Sequence, residues 1–195
     1  MRKAVSLVSY FLLMCFFLSG CTRPVSSVDA FFYALQKGDI EKAAQYLKPN
    51  DNGDNVPNFD LTDSDPDQIN MFKEMFSKLQ YETLSSEVEG NTAQVDARVT
   101  AVDLARVTTQ VMSELIPLAF ASAFSEDQDD SQMEKLAEQY MMNAISDPNS
   151  PMVTNRVTLT LEKVDGKWLI VTDDQLEKAL VGNLEVLSAF GGSDD

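Results

Sequence analysis

The chain has 195 residues, with 15 Lys and Arg against 31 Asp and Glu, no histidine, and a formal charge of −16. That balance makes nucleic acid and anionic lipid surfaces poor partners, because both would repel it. The missing imidazole removes Ser–His and Cys–His nucleophilic machinery and histidine metal sites.

Arg2 and Lys3 precede a nearly continuous apolar run over residues 4–18. A signal-peptide hydrophobic region has that length, whereas a spanning helix needs about 20 residues. The run closes on Leu18, Ser19, Gly20 and Cys21, an order that resembles a bacterial lipobox. The resemblance implies cleavage after Gly20 and a diacylglyceryl thioether on Cys21, chemistry that needs a thiol nucleophile with small neighbours. Residues 1–20 are then a lipoprotein signal peptide, and Cys15 leaves with them. The alternatives are an uncleaved anchor, or a plain secretory signal in which Cys21 is incidental. With its remaining cysteine alkylated, the mature domain could form no internal disulfide. Losing Arg2 and Lys3 would take the charge from −16 to −18. Residues 21–27 read as a lipidated tether. Its stretch TRPVSS, residues 22–27, reaches about 20 Å when extended, so the domain is expected close to the extracytoplasmic face of the cell membrane. No later apolar run reaches spanning length. The longest, residues 111–124, holds Glu114 and Pro117.

What remains is enough chain for one domain with a real core, over residues 28–190. Ser27 is the expected N-cap of a first helix carrying Phe31, Phe32 and Leu35, which Gly38 stops. Asp39 caps a second helix with Ile40, Ala43, Ala44 and Leu47 on one stripe, ended by Pro49. Residues 50–67 are polar and acidic with three breakers, Gly53, Pro57 and Pro66, and read as a loop. A third helix over about residues 67–79 carries Ile69, Phe72, Met75, Phe76 and Leu79. The period then becomes two. Residues 81–89 form a strand, Gly90 and Asn91 a turn, and Ala93, Val95, Ala97, Val99 and Ala101 alternate with polar residues on a second strand.

A helical hairpin is inserted next, over about residues 103–146. Its first helix runs to residue 124 with Leu104, Val107, Val111, Leu115 and Leu118 in register, and Pro117 should kink it. Its second spans residues 132–145, with Met133, Leu136, Tyr140, Met141, Ala144 and Ile145. A strand over residues 153–164 follows, then Asp165-Gly166, the pair a type I′ turn wants, and a returning strand over residues 167–172. A last helix over residues 173–190 carries Leu176, Leu180, Leu184 and Leu187. Residues 191–195 read as a tail. The pattern is α+β: N-terminal helices, then an antiparallel sheet interrupted by a helical hairpin, then a closing helix.

The order helix, helix, strands is similar to the nuclear transport factor 2-like (cystatin-like) superfamily, and "VDAFFYALQKGDIEKAAQYL" resembles the opening helices of its cone-like fold. The stretches "VDARVTAVDLARV" and "VTLTLEKVDGKWLIVTDDQLEKALVGNL" look more narrowly like a family of Gram-positive lipoproteins with such a domain. The resemblance implies a first helix packed into a curled sheet. It carries over no catalytic residue, and the histidine-dependent dehydration of some superfamily members is removed with the imidazole.

Other superfamily members place an acidic base beside a tyrosine. Asp96 or Asp103 with Tyr33 or Tyr140 could imitate that only by facing inward. The alternation puts Asp96 on the wet face, and an N-cap explains Asp103. The acidic stretches fail as calcium loops. With Gly53 at position six, Lys48 falls at position one and Phe59 at position twelve, while "DQDDSQMEKLAE" has Gln132 where the glycine is required. Those acids read as a solvated turn that favours the next helix N-terminus. No metal or cofactor is expected. Phe32, Leu35, Tyr81, Tyr140 and Trp168 are the candidate lining of an apolar pocket, with plain core as the alternative.

Three functions stay open. The first is a lipid-anchored, non-enzymatic binding or scaffold module holding a small apolar ligand or an envelope protein. The others are a carboxylate enzyme or enzyme subunit, and a purely structural envelope protein.

Overall fold

The computed structural model describes residues 23–49, 66–122 and 130–182. Cys21 and the lipobox, most of the first acidic loop, the turn between the hairpin helices, and Leu184 and Leu187 lie outside them.

Helix α1, Pro24–Gln36, starts three residues before the expected Ser27 cap. Its N-cap is Arg23, which makes no side-chain capping bond, and Ser27 is buried inside the helix. The early start has two causes. Proline at the first helical position is already set at a helical φ, and Val25 and Val28 extend the apolar face onto the core. Residues 24–27, expected as tether, are therefore helix. Gly38, at φ 68°, ends the run, its N–H reaching the Leu35 carbonyl at 2.8 Å, the left-handed stop that glycine allows at little cost. Asp39 caps α2, Ile40–Ala44, by accepting from the Lys42 N–H at 3.1 Å.

The second helix is shorter than its periodicity predicts. Leu47 leaves it to bridge Ile170 in parallel. The Lys48 N–H donates to the Ile170 carbonyl at 2.7 Å, and the Ile170 N–H to the Tyr46 carbonyl at 2.8 Å.

Helix α3, Pro66–Ser77, delivers Met75 and Phe76 to the core. Strands β1 (Gln80–Glu89), β2 (Thr92–Val102), β3 (Met152–Val164) and β4 (Lys167–Ile170) form one antiparallel sheet in that order, curled and unclosed. The inner face is legible from β2. Ala93 pairs with Leu161, Val95 with Leu159 and Ala97 with Val157, all buried. Pairing of β1 with β2 slips between Thr83 and Ser85, so Leu84 is an extra residue and Ser85 turns to the outer face beside Asp96. Asp165 (φ 50°) and Gly166 (φ 82°) make the expected tight turn into β4, which ends at Ile170 rather than at residue 172.

Helices α4, Leu104–Ser122, and α5, Asp130–Ser146, are the inserted hairpin. Asp103 caps α4 as its sequence position predicts, Oδ1 accepting from the Arg106 N–H at 3.2 Å. α4 continues through Pro117. Val107 and Val111 are buried, and the exposed part of the helix follows. The end of α5 is pinned to the connection between α3 and β1: Lys78 Nζ donates to the Ile145 and Asp147 carbonyls at 2.5 and 2.6 Å. Helix α6, Asp174–Val181, is capped by Asp173, whose Oδ1 accepts from the Gln175 and Leu176 N–H groups at 3.1 and 3.0 Å. Gly182 follows with φ 74°, tight against Val153 and the Val102–Asp103 backbone.

Candidate functional site

The concave face of the sheet is where a pocket was expected. α1 lies against β1, β2 and β4, and α6 against β2 and β3. Phe32 is 0 %, Leu35 3 % and Trp168 4 % exposed, sealed in one apolar cluster with Val95, Val99, Leu159, Leu176 and Leu180. These three pocket candidates are packed as core. Lys163 Nζ sits 5.5 Å above the Trp168 ring, a cation–π contact along β3 and β4. Tyr140 is half-buried on α5, which packs on α3 and α4. It belongs to the hairpin layer rather than to the α1 face.

Tyr81 is half-buried and stacks on Phe32, centroids 4.9 Å apart and planes 25° from parallel. Phe31 meets Phe32 edge-on at 5.3 Å. The Tyr81 hydroxyl donates to the Asp29 main-chain carbonyl at 3.3 Å, and the Thr83 hydroxyl to Asp29 Oδ1 at 3.3 Å. Burial, with the Asp29 charge second, pushes the Tyr81 phenol above its ordinary pKa, so it stays protonated at neutral pH. This is the carboxylate–tyrosine neighbourhood that the sequence reading sought at other residues. Asp29 and Phe32 share a helical face three residues apart, and Tyr81 and Thr83 share a strand face. Those spacings were the available signal, but 52 residues separate Asp29 from Tyr81.

Asp96 and Asp103 have other partners than Tyr33 or Tyr140. Asp96 is on the outer face, as its alternation predicts. It accepts from Thr158 Oγ1 at 2.7 Å, Ser85 Oγ at 3.0 Å and Arg156 Nη2 at 3.1 Å. These bonds, that of Thr158 foremost, hold its carboxyl below the ordinary range, so it stays ionised and is a poor proton acceptor. Asp103 bonds to Arg106, and Tyr33 is exposed beneath Lys37 Nζ at 5.5 Å. Among the described residues no three carboxylates or thiols gather as a metal site, and no helix is long and apolar enough to cross a membrane.

Comparison with solved structures finds distant neighbours. One is an NTF-2 like protein of unknown function from Shewanella oneidensis MR-1, 16 % identical over 75 % of this chain and 89 % of that one, with a TM-score of 0.38. A second is the Bacillus subtilis protein ycdA, provisionally described as a lipoprotein, 18 % identical over 62 % of this chain and 39 % of that one, TM-score 0.46. A third, from Streptomyces avermitilis, is provisionally described as a dehydratase of the NTF2-like family, 16 % identical over 76 % of this chain and 93 % of that one, TM-score 0.31. At these distances no residue role or activity carries over. No curated protein matches the chain. Residues 52–184 match the family described as a domain of unknown function, DUF5105, and the chain is a member of that family.

Proposed function

We propose that this protein is a non-enzymatic binding or scaffold module, held on the extracytoplasmic face of a bacterial membrane by a lipid on Cys21. One observation carries the non-enzymatic part: Phe32, Leu35 and Trp168, three of the five residues that would line a cone, are packed as core. Phe32 and Trp168 are closed over by the protein's own side chains, which leaves the outer surface and the hairpin to meet partners. The lipobox-like LSGC supports the address. Only Thr22 and Arg23 lie between Cys21 and α1, so the slack is about 10 Å, half of what the sequence suggested. The test is growth of a bacterial host expressing the full chain with an alkyne fatty acid. The wild type should be labelled and sediment with membranes, and Cys21→Ser should lose both properties. An unlabelled wild type in the soluble fraction would refute the anchor.

The Asp29–Tyr81 neighbourhood favours a second reading, carboxylate chemistry at the β1 edge. It requires deuterium exchange into small carbonyl compounds that the wild type catalyses and Asp29→Asn does not. Equal exchange by both chains, or none by either, ends it.

A further inference from the structure

Helix α4 is apolar on two opposite sides. Val107, Val111 and Leu115 form the side that packs on the core. Met112, Ile116 and Phe120 recur at four-residue spacing on the far side, 58 %, 52 % and 66 % exposed. A helix that is apolar all round is ordinarily covered all round. At about 200 Å² per side chain, those exposures leave roughly 350 Å² of apolar surface on one stripe, the size of a functional patch.

The charge pattern identifies the cover. The chain carries −16 overall, yet residues 107–122 contain a single charge, Glu114. At 100° per residue, Glu114 projects away from the exposed stripe, which Thr109 continues and which Ser113 and Ala119 flank. Interfacial lipid-binding helices set Lys and Arg around their apolar face. α4 has only Arg106, in its first turn, and anionic lipid would repel the acidic body. A second copy of an acidic chain, by contrast, can come close only where charge is lacking. Two stripes facing each other would bury roughly 700 Å² of apolar surface, which with uncharged flanks suits a standard interface of about 1,600 Å². The match is self-complementary, so it closes as a two-fold pair.

We propose that Met112, Ile116 and Phe120 form a homodimer surface, two copies packing α4 against α4 antiparallel about an axis near Ile116. The proposal goes beyond the anchored-module reading and stands whether or not Cys21 is lipidated. The test uses the full chain, in whichever of the host's membrane and soluble fractions carries it, with a short bis-maleimide. Ile116→Cys should give a cross-linked band at twice the chain mass. The wild type, with Cys15 and Cys21 alone, and Val88→Cys on β1 should not. Adding Met112→Glu to Ile116→Cys should lower the dimer band at least tenfold, with an unchanged circular dichroism spectrum. The proposal is overturned if Ile116→Cys stays monomeric. It is equally overturned if peptide mapping places the cross-link on residues 183–195 of the same chain or on a different protein, or if Met112→Glu leaves the band intact.

Discussion

Phe32→Ala tests how the concave face is used. Phe32 has no exposed surface, stacks on Tyr81 and meets Phe31 edge-on. Truncating a buried phenylalanine costs about 3–5 kcal/mol, transfer and cavity together. Two aromatic contacts, each worth about 0.5–1.5 kcal/mol beyond area, place this site at the upper end of that range. A domain of this size has about 5–15 kcal/mol in all, and each kcal/mol moves the melting temperature by about 2–4 °C. Phe32→Ala should therefore melt roughly 10–15 °C below the wild type, or fail to accumulate folded. Tyr81→Phe keeps the ring stack and loses only the 3.3 Å bond to the Asp29 carbonyl, so it should cost about 1 kcal/mol or less. Thermal and urea unfolding followed by circular dichroism measures both. A loss below about 1 kcal/mol for Phe32→Ala would mean that the face is not packed on this ring, and the filled-cone argument would fail with it.

Asp96→Asn removes the charge, and the Oδ2 acceptor of Ser85 and Arg156, from the carboxylate that joins β1, β2 and β3 on the outer face. Because the folded carboxyl is depressed, its contribution is complete above the ordinary carboxylate pKa of about 3.9 and is lost as pH falls through the lower folded value. The wild type should lose stability through that acid window, and Asp96→Asn should show a shallower slope in urea midpoints below pH 4. Gly182→Ala places a Cβ 2.7 Å from Val153 Cγ1 at φ 74°; a loss of about 1–3 kcal/mol in the same unfolding assay is expected. Lys78→Met removes the donor to the Ile145 and Asp147 carbonyls. It should raise hydrogen exchange at the end of α5 while the β2 and β3 amides keep their protection.

The parts of this fold that sequence discloses are those whose cause is local. The alternation from Ala93 to Ala101, the Asp165-Gly166 turn and the Asp39 and Asp103 caps each follow from a few neighbouring residues. The misjudged parts depend on distant partners. Leu47 fits a helical stripe, but Ile170 offers it a strand edge 123 residues away. Pro24 begins α1 because Val25 and Val28 find a core to cover. Asp29 looks like an ordinary helix acid until Tyr81 and Thr83 meet it from β1. Met112, Ile116 and Phe120 are masked by their neighbours: Val107, Val111 and Leu115 already satisfy one apolar stripe, and only the burial of the folded helix shows the second.

The sheet has two unlike margins. At β4 the crossing chain at Tyr46–Lys48 occupies the backbone of Ile170. At β1 no strand follows among the described residues, and Glu87 and Glu89 stand exposed beyond the irregularity at Leu84. Growth of the sheet into a stack of chains is thus blocked on one side by the protein's own covalent path and opposed on the other by like charge and a broken register. Salt screens the charge on the second margin and leaves the first untouched, so high ionic strength weakens the defence of this fold on one margin only and gives it a direction in which to aggregate.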